Sequence, residues 1–300
     1  MKNKRLLNTS ALLLALVAAS AQASELSFND NMGDSSSSAW NFEHPEAIIG
    51  GTDVSSGDPV ASSTVLIYGQ ENGSGFICTG SIIAQDIIIT AAHCLGDSGN
   101  AKLVVAFRTD INGQGPVFQV TQQTRPADYA TNSQRSATDW DDLGLLQIAN
   151  PLPTGYAPAK LLTDRSAIRN GANILLAGYG INVPTPPTDQ NNDGGAGVLR
   201  KVTQVVLNAN YGKTETLVSL KGKGACHGDS GGPAFVQSGS QLLLFGVTSR
   251  LTSNDKVAGN GNAQDYSCSV DMVYTNMIAR SAWINSTIAN FHSQASKFIR

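Results

Sequence analysis

The sequence predicts an all-β fold, with antiparallel sheets closed into sandwiches or barrels and one helix at the C-terminal end. Three observations carry this. Short apolar or alternating runs recur between turn signals from residue 48 onward, which suits antiparallel strands. Glycine supplies 30 of the 300 residues while only 14% of the chain is charged, the composition of a turn-rich β protein. A helix-length apolar period appears only near the end.

The chain opens with Lys2, Lys4 and Arg5, then an apolar run through residues 11–19 and "AQA" at 21–23. A basic start, a short apolar centre and small residues before a cut describe a secretory signal peptide over 1–23. The run is too short for a comfortable membrane span. Residues 24–47, with a serine run, acidic residues and no period, read as a propeptide. The expected location is therefore outside the cytoplasm, extracellular or periplasmic. Strands are expected at 63–69, 102–107, 116–122, 143–148, 173–180, 200–207, 216–220 and 241–249. The segment 182–197 reads as a polar surface loop. Asp189, Asn191, Asp193 and Gly194 imitate the start of a calcium loop there, but Arg200 stands where the bidentate glutamate belongs, so a turn is the better reading. At the end, Ile284, Ile288 and Phe291 are spaced for one amphipathic helix packed on the body.

Charge and cysteine exclude several classes. The chain holds 20 Lys and Arg against 23 Asp and Glu, and 17 against 18 from residue 48 on, with no basic block. Nucleic acid is not indicated. Four cysteines, Cys78, Cys94, Cys226 and Cys268, in an exported chain suggest two disulfides, with three connectivities open. No Cys-x-x-Cys pair or histidine cluster supports a metal. No cofactor motif is present. The expected partners are protein or peptide substrates, with no nucleic acid and no membrane, and a monomer is expected.

The stretch that carries chemistry is "GACHGDSGGP" at 224–233. Gly-x-Ser-x-Gly holds a serine on a tight turn, and two unrelated hydrolase folds use it. "ITAAHC" at 89–94 precedes it, and "DWDDLGLLQI" at 139–148 lies between. Serine's hydroxyl is a poor nucleophile until a base removes its proton, which imidazole does near neutral pH. A buried carboxylate fixes the imidazole tautomer, and backbone N–H groups in a glycine turn stabilise the tetrahedral oxyanion. Three aspartates compete for the carboxylate role: Asp139, Asp141 and Asp142.

Together "IIGG" (48–51), "FICTGSII" (76–83), "TAAHC" (90–94), "DLGLL" (142–146), "CHGDSGGP" (226–233), "VYTNM" (273–277) and "WI" (283–284) resemble the trypsin/chymotrypsin-type serine proteases. The resemblance implies two six-stranded antiparallel β-barrels, split near residue 160 within a protease domain over 48–300, with the site in the cleft between them. It implies His93, Asp142 and Ser230 as the catalytic triad, since "DLGLL" matches the family pattern from Asp142. Asp141 is the fallback, and Asp139 reads as a solvated loop residue. The oxyanion donors implied are the N–H groups of Gly228 and Ser230, and the disulfides Cys78–Cys94 and Cys226–Cys268. A new amino terminus at Ile48 is implied to pair with Asp229 on activation.

The pocket departs from the tryptic pattern. Its base, by resemblance, is Gly224, followed by Ala225, with no carboxylate to receive Lys or Arg. Ser249 fits the family's wall, whereas Arg250 replaces an aromatic and Leu251 a glycine; Met272 also stands where glycine usually sits. A shortened, elastase-like pocket is expected, cutting after small residues, which suits Ala47 as the activation site. His227 is expected at the rim. An α/β-hydrolase is disfavoured because only His292 follows the serine. A catalytically silent binding module on the same fold is the other alternative.

Overall fold

In a computed structural model of the chain, the described residues are 48–129, 137–182, 194–252, 268 and 271–295. The expected signal peptide and propeptide, and residues 183–193 of the polar insert, lie outside them. A two-residue strand β1 (Thr52–Asp53) comes first. Six strands then close a barrel in the order β2-β3-β4-β7-β6-β5: β2 (Thr64–Glu71), β3 (Ser74–Ala84), β4 (Ile87–Thr90), β5 (Lys102–Ala106), β6 (Val117–Thr124) and β7 (Gly144–Ile148).

Local chemistry explains the barrel's corners. Asn72 and Gly73, at φ 52° and 83°, make the two-residue turn between β2 and β3, a left-handed pair that matches strand twist. Ile87, Ile88 and Ile89 of β4 are all fully buried, because one face lines the barrel and the other meets neighbouring layers. The apolar runs did not mark β4. Its short unbroken apolar stretch lacks the alternation that signals a half-exposed strand.

After β8 (Lys160–Leu161) come β9 (Asn173–Gly178), β10 (Arg200–Tyr211), β11 (Glu215–Val218), β12 (Pro233–Ser238), β13 (Gln241–Leu251) and β14 (Met272–Asn276). These last six run β10-β11-β14-β13-β12-β9, and β9 pairs with β10 to close a second antiparallel barrel. β1 pairs with β10, and β8 lies parallel to β13. The fold class expected from the sequence is thus the one adopted.

Helix α1 (Ser281–Ala295) follows a 3-10 turn that Asn276 caps, its side chain accepting from the Ile278 N–H. Ile284 and Phe291 are 4% and 6% exposed and join the core of the first barrel. Each buried side chain of that size stabilises by about 1.5–3 kcal/mol. Gln122 donates to the Phe291 carbonyl, and His292 Nε2 meets Asp86, so the end of the chain clasps the first barrel. Phe235, Leu244 and Val247, from the second barrel, share that same core.

Candidate active site

His93 lies in the 3-10 turn Ala92–Leu95 that follows β4, and the next residue, Cys94, is bonded to Cys78 of β3. Asp142 stands at the entrance to β7 and is 1% exposed. Its Oδ1 accepts the His93 backbone N–H at 3.0 Å. Its Oδ2 lies 2.8 Å from His93 Nδ1 and accepts the Ser249 hydroxyl at 2.7 Å. Burial alone would push this carboxyl up, but the facing His93 ring and the hydrogen bonds from His93 and Ser249 outweigh it and hold Asp142 below the ordinary carboxylate value. With Nδ1–H directed at Asp142, the other nitrogen, Nε2, is the one left basic.

The three neighbouring aspartates have three separate partners. Asp141 accepts from Arg280 Nε at 2.6 Å. Asp139 departs from the expectation of a solvated loop residue: its Oδ1 accepts the N–H groups of Lys213 and Thr214 at 2.6 and 2.8 Å. It caps the turn between β10 and β11, where backbone donors have no strand partner. Asp139 and Asp141 both take positive φ, 61° and 54°, a conformation that short polar residues tolerate. That backbone gives the three carboxylates different directions.

The turn carrying Ser230 is pinned from the first barrel by one residue of β3. Thr79 N–H donates to the Ser230 carbonyl at 2.8 Å, and Thr79 Oγ1 donates to the Gly228 carbonyl at 3.0 Å. The same oxygen accepts the Tyr179 N–H. A Cβ on Gly231 would fall 2.0 Å from Thr90 Oγ1 and 2.9 Å from the Ala91 nitrogen, so only glycine lets the serine turn press against the residues preceding His93. The Gly228 and Ser230 carbonyls are thus both held. Among the described residues neither the Gly228 nor the Ser230 N–H has an acceptor, whereas the Asp229 N–H donates to the Cys226 carbonyl. Two such donors suit a developing oxyanion.

Asp229 is fully buried, its oxygens accepting the Gly180 and Cys226 N–H groups at 2.8 Å each. Burial pushes its carboxyl up to about 7 despite those bonds and the charge of Arg200. Ile48 is 1% exposed in the core of the second barrel, at φ 53°. A left-handed conformation is costly for a β-branched residue. Ile49 holds it there through an antiparallel bridge to Gly224, with bonds of 3.1 and 2.9 Å.

Gly224, the expected base of the pocket, is the partner of Ile49 in that bridge. Ala225 and Met272 are buried in the core of the second barrel, and Leu251 faces Met272 across β13 and β14. Ser249 is turned to Asp142. Cys226 and Cys268 are bonded, as the resemblance implied, and His227 is exposed.

Two contributions escaped the sequence reading. Thr79, within "FICTGSII", gave no sign that it would hold two carbonyls of the serine turn. Arg250 was noted only as a misfit. Its guanidinium grips both oxygens of the fully buried Glu215, at 2.6 and 2.9 Å, and lies 3.9 Å over the Trp140 ring. Trp140 N–H also donates to Glu215. The aromatic missing from the strand is supplied by the loop that leads to Asp142.

The sequence model of the family described as Trypsin matches residues 48–284. Mast cell protease 3 of Ovis aries is 27% identical over 231 residues, covering 75% of this chain and 83% of that protein. Duodenase-1 of Bos taurus is 26% identical over 231 residues, covering 76% and 84%. Chymotrypsin-like elastase family member 1 of Homo sapiens is 25% identical over 256 residues, covering 81% and 93%.

Proposed function

Because the chain belongs to the trypsin family and is a serine endopeptidase, we propose that it is exported as a zymogen and cuts proteins after small residues by a His93, Asp142 and Ser230 triad. The observation that carries this is the buried Asp142 carboxylate, 2.8 Å from His93 Nδ1 and bonded also by Ser249. His93 Nε2 takes the Ser230 proton as Oγ attacks the substrate carbonyl carbon. The N–H groups of Gly228 and Ser230 receive the oxyanion. Collapse breaks the peptide bond, His93 returns the proton to the leaving amine, and water then hydrolyses the acyl-enzyme by the same steps.

Activation follows cleavage after Ala47. The free ammonium of Ile48 pairs with Asp229, compensating a carboxylate that burial otherwise disfavours as a charge. Support comes from the seated Ile48 side chain and the Ile49–Gly224 bridge beside the turn. The small-residue preference is supported by Gly224 and Ala225, which offer no carboxylate at the base, and by Leu251 facing Met272. Export is supported by the basic and apolar pattern of residues 1–23.

The test is mass spectrometry of a random peptide mixture treated with protein beginning at Ile48, with Ser230→Ala as control. Cuts after Ala, Val or Ser that vanish in the control are expected. Cuts after Phe, Tyr or Arg would discard the short pocket, and folded protein with no Ser230-dependent cuts would discard the triad.

A further inference from the structure

The mechanism leaves one buried charge unused. Arg200, first residue of β10, is 1% exposed and among the largest fully buried side chains of the described residues. Its Nε meets Asp53 Oδ1 at 2.6 Å, while the Asp53 side chain is 64% exposed. Arginine at the inner end of a barrel is expensive unless its charge has work there.

Register shows where the charge points. Arg200 sits opposite Gly178 on β9 and opposite Asp53 on β1. Directly opposed residues of antiparallel strands share one face, so Asp53, Arg200 and Gly178 form a row. The next pair on that face, Val202 and Leu176, belongs to the second core, so the row faces inward. A Cβ on Gly178 would lie 2.2 Å from Asp229 Oδ1, and one on Gly180 would lie 2.6 Å from Asp229 Cγ. The inner end of the row is therefore the Asp229 carboxylate, and its outer end is Asp53. Among the described residues, the other ionisable neighbour of Asp229 inside is Tyr274, which burial keeps a neutral phenol, while His227 lies at the surface.

We propose that Arg200 is a built-in positioning cation for Asp229, which keeps a share of that carboxylate ionised at neutral pH and turned to Gly180 before Ile48 is freed, so that the uncut chain is already a measurably active peptidase. Asp53, five residues beyond Ile48, draws on the same guanidinium and limits the effect. This rests on the reading that a free Ile48 ammonium completes the same job. Cutting then adds a second cation to one that is already present, and activation is graded instead of all-or-none.

The experiment uses the full proenzyme carrying Ala47→Pro, shown intact by mass, beside enzyme beginning at Ile48. Both are assayed across pH on the peptide the mature enzyme cuts fastest. The uncut chain is expected to cut it, with an acidic limb governed by Asp229. Arg200→Gln should raise that limb by about one pH unit and lower activity at pH 7 about fivefold. Arg200→Lys should restore it, and the cut enzyme should change far less. Asp53→Asn, at an exposed position, should move the limb the other way, and it carries the test together with Arg200→Lys if Arg200→Gln does not fold.

An inactive uncut chain beside an active cut one would overturn the proposal and leave the ammonium reading intact. Equal activity of the cut and uncut wild-type chains would sink the ammonium reading, and the limb shifts would then decide Arg200 alone. Equal loss in both forms with no limb shift, or a limb unmoved by Asp53→Asn, would reduce Arg200 to packing.

Discussion

Asp142 and Asp229 are both fully buried aspartates within one site, yet their environments act in opposite directions. Asp142 has the His93 ring, the His93 N–H and the Ser249 hydroxyl around it and is held below the ordinary carboxylate value. Asp229 has two backbone N–H groups and a more distant guanidinium, and rises to about 7. Equal burial thus gives one settled charge and one poised charge. The difference lies in donors and neighbouring cations, and it suits the two proposed roles, one residue orienting a base and the other responding to cleavage.

The largest test of this contrast removes the settled charge. Asp142→Asn keeps the shape but reverses the donor facing Nδ1, and kcat/KM should fall by about four orders of magnitude with the fold retained. Steady-state kinetics beside a thermal melt checks it; a loss of less than tenfold would mean that Asp142 does not set the tautomer.

A second buried charge pair sharpens the comparison. Arg250→Ala would strand Glu215, which is fully buried, and should cost about 3–5 kcal/mol of stability by denaturant unfolding. Glu215→Gln combined with Arg250→Met should recover much of that loss. If the single variant is as stable as the parent, the pair is not a strut of the second barrel.

The poised charge predicts a pH signature. The Asp229 carboxyl in the uncut fold, at about 7, lies above its ordinary value of 3.8, so the fold holds a proton that the unfolded chain releases. Stability of the uncut chain should therefore be fully present below about pH 4 and decline as pH rises towards 7. On the proposed activation, a freed Ile48 ammonium should lower that pKa and remove the decline. The gap in unfolding free energy between cut and uncut protein, read by denaturant unfolding, should widen across this window and reach a few kcal/mol at most. Asp142 carries the opposite sign: its contribution is present above the ordinary carboxylate value and is lost as pH falls. A constant gap between pH 4 and 7 would remove the distinction between the two aspartates.

The smallest effect comes from one donor to Asp142. Ser249→Ala should cost about 1.5–3 kcal/mol of transition-state stabilisation and raise the acidic limb of kcat/KM, because a charge-assisted bond is lost while two others remain. An unmoved limb would make Ser249 a wall residue only.

Much of this was legible in the sequence, for identifiable reasons. Strands with one wet face, such as β5 and β10, announce themselves by alternation, and the helix by Ile284, Ile288 and Phe291. Contiguous motifs marked His93 and Ser230, whereas the pairing of the four cysteines came only with the resemblance. Choosing Asp142 over its neighbours needed the resemblance, since three adjacent aspartates look alike until φ values of 61° and 54° send Asp139 and Asp141 elsewhere. Arg280 for Asp141, Glu215 for Arg250 and Arg200 beside Asp229 were not legible. Each pairing is made by strand register or by packing between distant segments, and no local pattern encodes it. Asp139 was misread because a carboxylate in a polar loop looks solvated until the turn it caps is brought beside it.

Thr79 gives the site a further property. The turn that bears Ser230 belongs to the second barrel, yet the hydroxyl and N–H that hold its carbonyls come from a strand of the first. The machinery is thus a seam and exists only while both halves are sewn together. Heat or mild denaturant that merely loosens the stitching should silence the enzyme while each barrel still keeps its strands, which makes peptidase activity a finer gauge of cohesion than any spectrum of secondary structure.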